Sequence, residues 1–187
     1  MWIGLCVAAL ATPPAWVSLS AAEEAQVQAG QAVVRTAAAG ASGEIEGVVQ
    51  VAAPFDAVWA TLFDWEARER AVSAIEDITV YAPESDPGGL GVTYRLSILA
   101  TPVVYHLRYT VSKAEGWARF ALDPAKTNDI AASTGSYRIQ AVPAGHRIHY
   151  RTVTDTGRAL PAFVKNYVAS SSIRTQLEAM RAAAQGR

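Results

Sequence analysis

The chain has 187 residues and a mass of 19.8 kDa, enough for one domain with a sizeable core and too short for two ordinary ones. It carries 16 Lys and Arg against 17 Asp and Glu, so it lacks the excess positive charge that nucleic-acid binding usually needs. Apolar residues make up 51% and charged residues 18%, which excludes a mostly disordered chain. The single cysteine excludes an intramolecular disulfide and a cysteine-based zinc cluster.

An uncharged apolar run occupies residues 2–11, and Pro13 and Pro14 then break it. The run is shorter than the roughly 20 residues of a membrane span and is typical of the apolar core of a secretory signal. Small residues before Glu23 suit signal peptidase, although no Lys or Arg precedes the run. We therefore predict a signal peptide at residues 1–22 and export to the periplasm. The alternative is a buried or frayed N-terminal segment in a cytoplasmic protein.

Residues 23–43 are rich in Ala, Gly and Gln without a strong period, and we predict a linker or a loose helix there. The folded domain is predicted at residues 44–184. It starts with a strand at Glu44–Val51, where β-branched residues are frequent. Pro54 then opens a helical stretch, and a second short helix is predicted around Trp65–Val72.

From Ile75 onward the apolar pattern has period two, and turn signals recur about every ten residues, which is typical of an antiparallel meander. The predicted strands are Ile75–Tyr81, Gly91–Leu99, Val103–Ser112, Gly116–Leu122, Ala132–Val142 and His146–Thr154. A long amphipathic helix follows at Leu160–Ala184. The predicted fold class is α+β: a curved antiparallel sheet wrapped around a long C-terminal helix, with two short helices after the first strand.

Three segments resemble the START-like (SRPBCC) superfamily with its helix-grip fold. Residues 48–64 are similar to its opening strand and first helix, residues 135–151 to its final hairpin, and residues 160–181 to its closing helix. The superfamily includes START lipid-transfer domains, birch-pollen-allergen-type proteins, polyketide cyclases and coenzyme Q-binding proteins. The resemblance implies a tunnel between sheet and closing helix for an apolar or aromatic ligand. It does not choose among carriers, enzymes and sensors.

Alternation along the strands assigns the two faces of the sheet. One face holds Arg95, Arg108, Arg138, His149 and Arg151. We place that face outside, because burying so many charges would cost several kcal/mol each. The opposite face is rich in tyrosine and is therefore predicted to point toward the closing helix.

A buried tyrosine hydroxyl without a partner costs about 1–3 kcal/mol, so a row of inward tyrosines favours a partly wet pocket or a polar ligand group. Small residues at 169–172 leave space in the closing helix. The predicted ligand-binding residues are Tyr94, Leu96, Ile98, Tyr105, Leu107, Tyr109, Tyr137, Ile139, Tyr150, Phe163, Tyr167 and Ser171. The alternative is a packed core whose hydroxyls pair with Thr152, Ser133 or each other.

The sequence predicts no metal site and no cofactor. The three histidines lie on the outer face or in a turn, and the nucleophile-elbow, Walker and dinucleotide-binding motifs are missing. The alternating charges from Glu66 to Arg70, which include Arg68 and Glu69, are interpreted as a solvated helix face. The charged loop at residues 123–129 is interpreted as a solvated turn.

The first functional hypothesis is a protein that binds a hydrophobic small molecule, with transport as its further role; the molecule is a lipid, quinone, sterol or polyketide-like compound. Such a carrier would touch membranes transiently and needs no catalytic residue and no nucleic-acid partner. The alternatives are a polyketide cyclase or aromatase using the same pocket, and an interaction domain with a filled core. A buried Asp, Glu, His or Arg deep in the pocket would favour the enzyme, and strand alternation places none there. The oligomeric state is left open.

Overall fold

The computed structural model describes residues 12–39, 42–98, 100–157 and 162–186, with side chains except at 38, 39 and 162–170. The elements are α1 (Ala21–Gln28), β1 (Val33–Ala39), β2 (Ser42–Val51), α2 (Phe55–Thr61), α3 (Trp65–Ala71), β3 (Ile75–Ala82), β4 (Leu90–Ile98), β5 (Thr101–Ser112), β6 (Trp117–Leu122), β7 (Ala132–Val142), β8 (Gly145–Asp155) and α4 (Ala162–Ala184). The predicted α+β class is confirmed. The six strands predicted from Ile75 onward all form, each within two residues of its predicted ends.

The eight strands form one antiparallel sheet in the order β1-β2-β8-β7-β6-β5-β4-β3. Each strand pairs with its neighbour in sequence, except that β2 pairs with β8 through contacts such as Val48 opposite His149. Helices α2 and α3 carry the chain from β2 to β3 at the opposite edge. The short helices and α4 therefore close over one face of the sheet.

The main core lies between that concave face, the two short helices and the C-terminal half of α4. Gly47 lets α4 approach the sheet, because a Cβ there would lie only 2.6 Å from the Leu177 Cδ1 atom. The core combines aliphatic and tyrosine side chains, including Val58, Leu62, Val92, Tyr94, Leu107, Tyr109, Tyr137, Ile148, Tyr150, Leu177 and Met180. The tyrosine-rich face thus points toward the helices, as strand alternation predicts.

The opposite face is partly covered as well. Residues 23–43, where a linker or loose helix was predicted, contain α1 and β1, and β2 starts two residues before Glu44. Residues 12–22 of the predicted signal peptide also lie in the described part of the chain, whereas residues 1–11 lie outside it. His149 belongs to this outer face yet is only 5% exposed, because the N-terminal segment covers it. A side chain that points to the outer face of the sheet is therefore not always exposed to solvent in this protein.

No helix in the described ranges has the length and apolar character needed to cross a bilayer. Within the same ranges, no group of three or more His, Cys, Asp or Glu side chains is placed to hold a metal ion.

Candidate ligand-binding cavity

A cavity of about 200 Å³ lies between the concave face of the sheet, α3 and α4. Strands supply most of its wall, α3 supplies one side, and α4 closes it from above. Its described lining residues are Ile45, Arg68, Val72, Ala74, Ile75, Tyr94, Leu96, Tyr105, Leu107, Tyr109, Phe120, Ser133, Tyr137, Tyr150, Thr152, Thr154, Ser172, Ile173 and Gln176. The wall is therefore mainly aromatic and aliphatic, with a few polar groups in fixed positions, as is usual for small-molecule sites.

Arg68 is the charged residue of this lining and is only 4% exposed. Its Nη1 donates a hydrogen bond of 2.6 Å to the Tyr94 hydroxyl, and its Nη2 donates one of 2.7 Å to the Leu62 carbonyl. The guanidinium also lies 4.8 Å from the centre of the Trp65 ring. Its Nε atom is buried and has no hydrogen-bond partner among the described residues. The Nε–H donor of a guanidinium that is held at both Nη atoms is thus left without a partner among the described residues.

The interpretation of Arg68 as part of a solvated helix face was wrong. Asp64 is the N-cap of α3 and accepts a hydrogen bond of 2.9 Å from the Ala67 backbone N–H. Trp65, Arg68 and Val72 follow one another at spacings of three and four residues, so they share one face of the helix. That spacing with two apolar neighbours is the signal by which the sequence shows Arg68 turned inward.

The guanidinium remains charged inside the protein. Burial acts to lower the pKa of Arg68, but the adjacent Tyr137, Tyr94 and Tyr109 outweigh it and the pKa is raised above its ordinary value. No described lining residue is an Asp or Glu that would neutralise this charge. A buried cation without a carboxylate partner is a costly arrangement, and it is the electrostatic feature that defines the site.

The tyrosine hydroxyls are linked to one another and to the helices. The hydroxyls of Tyr94 and Tyr109 lie 3.1 Å apart, and the Tyr94 ring stacks on the Tyr105 ring at 5.2 Å between centres. Gln176 on α4 donates a hydrogen bond of 2.7 Å from Nε2 to the Tyr137 hydroxyl. These contacts fix the rings, and they match in part the predicted alternative in which hydroxyls pair with each other.

Burial sets the protonation of these phenols. It raises the pKa of Tyr137 to about 12 and raises the pKa values of Tyr105, Tyr109 and Tyr150 as well. They therefore stay protonated at neutral pH and act as hydrogen-bond donors, not as bases. The described lining holds no Asp, Glu or His side chain. The arrangement can bind and stabilise a negatively charged or carbonyl oxygen, and its described part offers no base for neutral pH.

The structure brings most of the predicted site residues together. The cavity wall contains Tyr94, Leu96, Tyr105, Leu107, Tyr109, Tyr137 and Tyr150. Their contact with a ligand stays a prediction. The sequence reasoning missed the contributions of α3 and the loop after it, and of Gln176, because strand alternation says nothing about helices.

Three predicted residues lie elsewhere in the described structure. Ile98 is half-buried at the end of β4 and Ile139 packs in the core, so neither contributes to the cavity wall. Ser171 is exposed, and the next residue, Ser172, lines the cavity instead, because one residue along a helix turns a side chain by about 100°. The side chains of Phe163 and Tyr167 lie outside the described residues.

Comparison with solved structures identifies the fold. A Thermus thermophilus protein matches with a TM-score of 0.64 and 14% identity over 76% of this chain and 97% of its own. An aromatase/cyclase from Streptomyces sp. R1128 matches with a TM-score of 0.63 and 17% identity, over 78% of this chain and 95% of its own. A STAR-related lipid transfer protein from Xanthomonas axonopodis matches with a TM-score of 0.61 and 18% identity, over 82% of this chain and 92% of its own. No protein-family model and no curated protein sequence matches the chain.

The chain therefore has the helix-grip fold of START-like proteins, with an internal cavity beneath its closing helix. At 14–18% identity the three likenesses establish the fold alone. One neighbour is named for lipid transfer and another for aromatase/cyclase activity, so the choice between binding and catalysis depends on the cavity itself.

Proposed function

We propose that the protein binds a small aromatic or otherwise apolar molecule that carries an acidic or carbonyl oxygen, and that Arg68 holds this oxygen. The observation that carries the proposal is the buried Arg68 guanidinium, whose Nε has no partner in the described structure and whose cavity supplies no described carboxylate. A ligand oxygen at Nε would use the remaining donor and reduce the electrostatic cost of burying the charge.

The cavity volume narrows the ligand classes predicted from sequence. Pockets for drug-sized ligands measure about 300–1,000 Å³, and an apolar cavity of roughly 150 Å³ accepts benzene. A cavity of about 200 Å³ therefore suits a compound of one or two rings, such as a quinone head group or a polyketide-like aromatic. A sterol or a whole lipid is too large unless part of it extends beyond the cavity.

The expected affinity is moderate. Burying about ten carbon groups contributes roughly 8 kcal/mol, at about 0.8 kcal/mol per group, before entropy is subtracted. A hydrogen bond to a charged group contributes about 1.5–3 kcal/mol. After an association cost of at least about 4 kcal/mol, these terms leave at most roughly 5–7 kcal/mol, which corresponds to dissociation constants of about 10 to 100 μM. Reversible binding in that range suits a carrier.

An aromatase/cyclase-type enzyme is the second candidate, and Arg68 is the specific observation in its favour. Strand alternation predicted no charged residue deep in the pocket, but α3 places Arg68 there. Together with the protonated tyrosines, the guanidinium could stabilise an enolate oxygen. We favour binding without turnover, because the described lining has no carboxylate or imidazole to remove a proton.

The proposal is tested by titrating the full chain with two matched probes, naphthoate and its uncharged methyl ester, and following tryptophan fluorescence. Trp65 lies beside Arg68 and reports on the cavity. We expect saturable binding of naphthoate with a dissociation constant of about 10 to 100 μM and weaker binding of the ester. Equal binding of the two, or binding of neither, would contradict the proposal. Turnover of a polyketide-like substrate would instead support the enzyme.

A further inference from the structure

A group of hydroxyl side chains lines part of the cavity wall away from Arg68. The group, which we call the hydroxyl cluster, consists of Ser133 on β7 and of Thr152 and Thr154 on β8. Ser133 and Thr152 are each only 5% exposed. The cavity therefore offers buried polar groups besides the guanidinium and the tyrosines around it.

The strand pairing separates the hydroxyl cluster from Arg68. The Arg68 guanidinium lies 5.8 Å from the centre of the Tyr137 ring, and Tyr137 pairs with Tyr150 between β7 and β8. Ser133 pairs with Thr154, four residues away on both strands. At about 3.3 Å per residue, the two pairs lie about 13 Å apart along the sheet. The polar groups of the cavity wall thus form two separate sites.

An apolar surface lies between these two sites. Gly135 is midway between Ser133 and Tyr137 on β7, and the Phe120 ring covers it, because a Cβ at Gly135 would lie only 2.2 Å from the Phe120 Cζ atom. Phe120 pairs with Gly135 from β6 and lines the cavity. A ligand that reaches both polar sites would therefore place its middle against an aromatic ring.

The hydroxyl cluster has hydrogen-bonding capacity left for a ligand. The Ser133 and Thr154 hydroxyls lie 3.3 Å apart, and either can be the donor. The Thr152 hydroxyl donates a hydrogen bond of 3.1 Å to the Thr134 carbonyl, which leaves its oxygen able to accept. Since a hydroxyl offers one donor and two acceptor positions, these contacts use only part of what the cluster provides.

The charge of the cavity wall indicates which ligand group fits the hydroxyl cluster. Among the described lining residues Arg68 alone is charged. A charged ligand group placed at the hydroxyl cluster would be buried without an ion partner, which is costly. A neutral hydroxyl needs only hydrogen bonds of the kind that Ser133 and Thr152 can form.

We propose that the hydroxyl cluster is a second ligand subsite, and that the ligand is an aromatic acid or ketone with a hydroxyl at the opposite end of its ring system. This inference rests on the proposed function, because Arg68 holds the first oxygen. Ser133 and Thr152 hydrogen-bond the distant hydroxyl, and Phe120 contacts the rings between. The two subsites give the ligand one orientation, since the reverse one would place its acidic group among neutral hydroxyls.

The test compares 2-naphthoate with 6-hydroxy-2-naphthoate, which adds a neutral hydroxyl at the end of the rings away from the carboxylate. Calorimetric titration of the full chain gives the ratio of the two dissociation constants. We expect the hydroxylated probe to bind about three- to tenfold more tightly, the effect of one neutral hydrogen bond. If the protein binds 2-naphthoate but shows no such preference, the subsite is refuted and the proposed function stands. Binding of neither probe would refute both.

Variants connect the preference to the hydroxyl cluster. The double variant Ser133→Ala/Thr152→Val removes two hydroxyls with little change in shape and should reduce the ratio to about one. Ser133→Ala alone removes one oxygen atom and should lower the ratio in the same direction, so the test holds even if the double variant does not fold. Ser136→Ala on the same strand is the matched control, because Ser136 faces the opposite side of the sheet with Arg151, and it should keep the wild-type ratio. An undiminished preference in the Ser133→Ala protein and the double variant would overturn the proposal.

Discussion

Arg68 Nη1 donates a hydrogen bond of 2.6 Å to the Tyr94 hydroxyl, and this contact joins helix α3 to strand β4 at the wall of the cavity. Tyr94 passes the connection to Tyr109, whose hydroxyl lies 3.1 Å away on β5. The guanidinium is therefore held in place before any ligand arrives. A preorganised donor in a water-poor site interacts more strongly with a ligand oxygen than the same donor in water.

Replacing Arg68 with Met should weaken naphthoate binding roughly ten- to a hundredfold, because one hydrogen bond to a charged group contributes about 1.5–3 kcal/mol. Binding of the uncharged ester should change much less. Arg68→Lys retains the charge and should lose less naphthoate affinity than Met. Fluorescence titration of the wild type and the two variants with naphthoate and with the ester measures these affinities.

The matched control for that change is Arg70→Met. Arg70 lies on the same helix, but its side chain is 69% exposed and forms an ion pair with Glu66 on the helix surface. Its replacement should leave naphthoate binding unchanged. If the Met variants at the two positions bind naphthoate equally well, Arg68 is not the anchor.

Filling the cavity should abolish binding of both probes. Ser172→Leu adds a larger apolar side chain from α4 into the space beside Tyr137 and Tyr150. Ser171→Leu adds the same group one residue earlier, on the exposed side of the helix, and should bind the probes normally. Calorimetric titration of the two variants compares them directly. Normal binding by the Ser172 variant would place the ligand outside the cavity.

Tyr137 and Gln176 should behave as one unit. Tyr137→Phe leaves the buried Gln176 amide without its hydrogen-bond partner, so we expect a loss of about 1–3 kcal/mol in the free energy of unfolding. Gln176→Leu removes the other partner, and the double variant should be more stable than the sum of the single effects predicts. Chemical denaturation of the wild type, the two single variants and the double variant measures the coupling free energy between Tyr137 and Gln176. Additive effects would show that the hydrogen bond does not link sheet and helix energetically.

The stability of the protein should fall as the pH is lowered from 6.5 to about 4 because of His149. Burial, with Arg147 and Arg138 nearby, lowers the pKa of His149 from 6.5 to about 4, although Glu24 acts in the opposite direction. Below pH 6.5 the unfolded chain therefore binds a proton that the folded protein does not. The stabilisation that the folded protein gains from a neutral His149 is complete above pH 6.5 and is lost as the pH falls toward 4.

His149→Gln isolates this effect, because a neutral amide cannot titrate. The free energy of unfolding, measured by urea denaturation across this pH range, should depend on pH less steeply in the variant than in the wild type. Identical slopes would show that His149 does not remain neutral beneath the N-terminal segment of residues 12–20.

Periodicity along the chain was enough to predict the six strands from Ile75 onward and the long helix. From Ile75 onward each strand alternates apolar and polar residues, since one face of the sheet packs on the core. The same alternation placed the tyrosines of the cavity wall correctly. The prediction that Ile139 lines the cavity was wrong. Alternation distinguishes the two faces of a sheet, but it cannot distinguish a residue of the cavity wall from a residue of the packed core on the same face.

The elements that the sequence did not reveal depend on tertiary contacts. Helix α1 and strand β1 are rich in alanine and have no strong local periodicity. They are held by a small hydrophobic cluster on the outer face of the sheet, formed by Val17, Val27, Val33 and Val48. Arg68 stands among charged neighbours, and composition alone favours a solvated face. Only the position of Trp65 and Val72 on the same side of the helix indicates that it points inward.

The most direct test of the binding site is a crystal structure of the protein grown with naphthoate. It should show the aromatic rings between Tyr105 and Tyr137, with a carboxylate oxygen about 3 Å from Arg68 Nε. A naphthoate that occupies the cavity with its carboxylate turned away from Arg68, or one bound elsewhere while the cavity stays closed, would contradict the assignment.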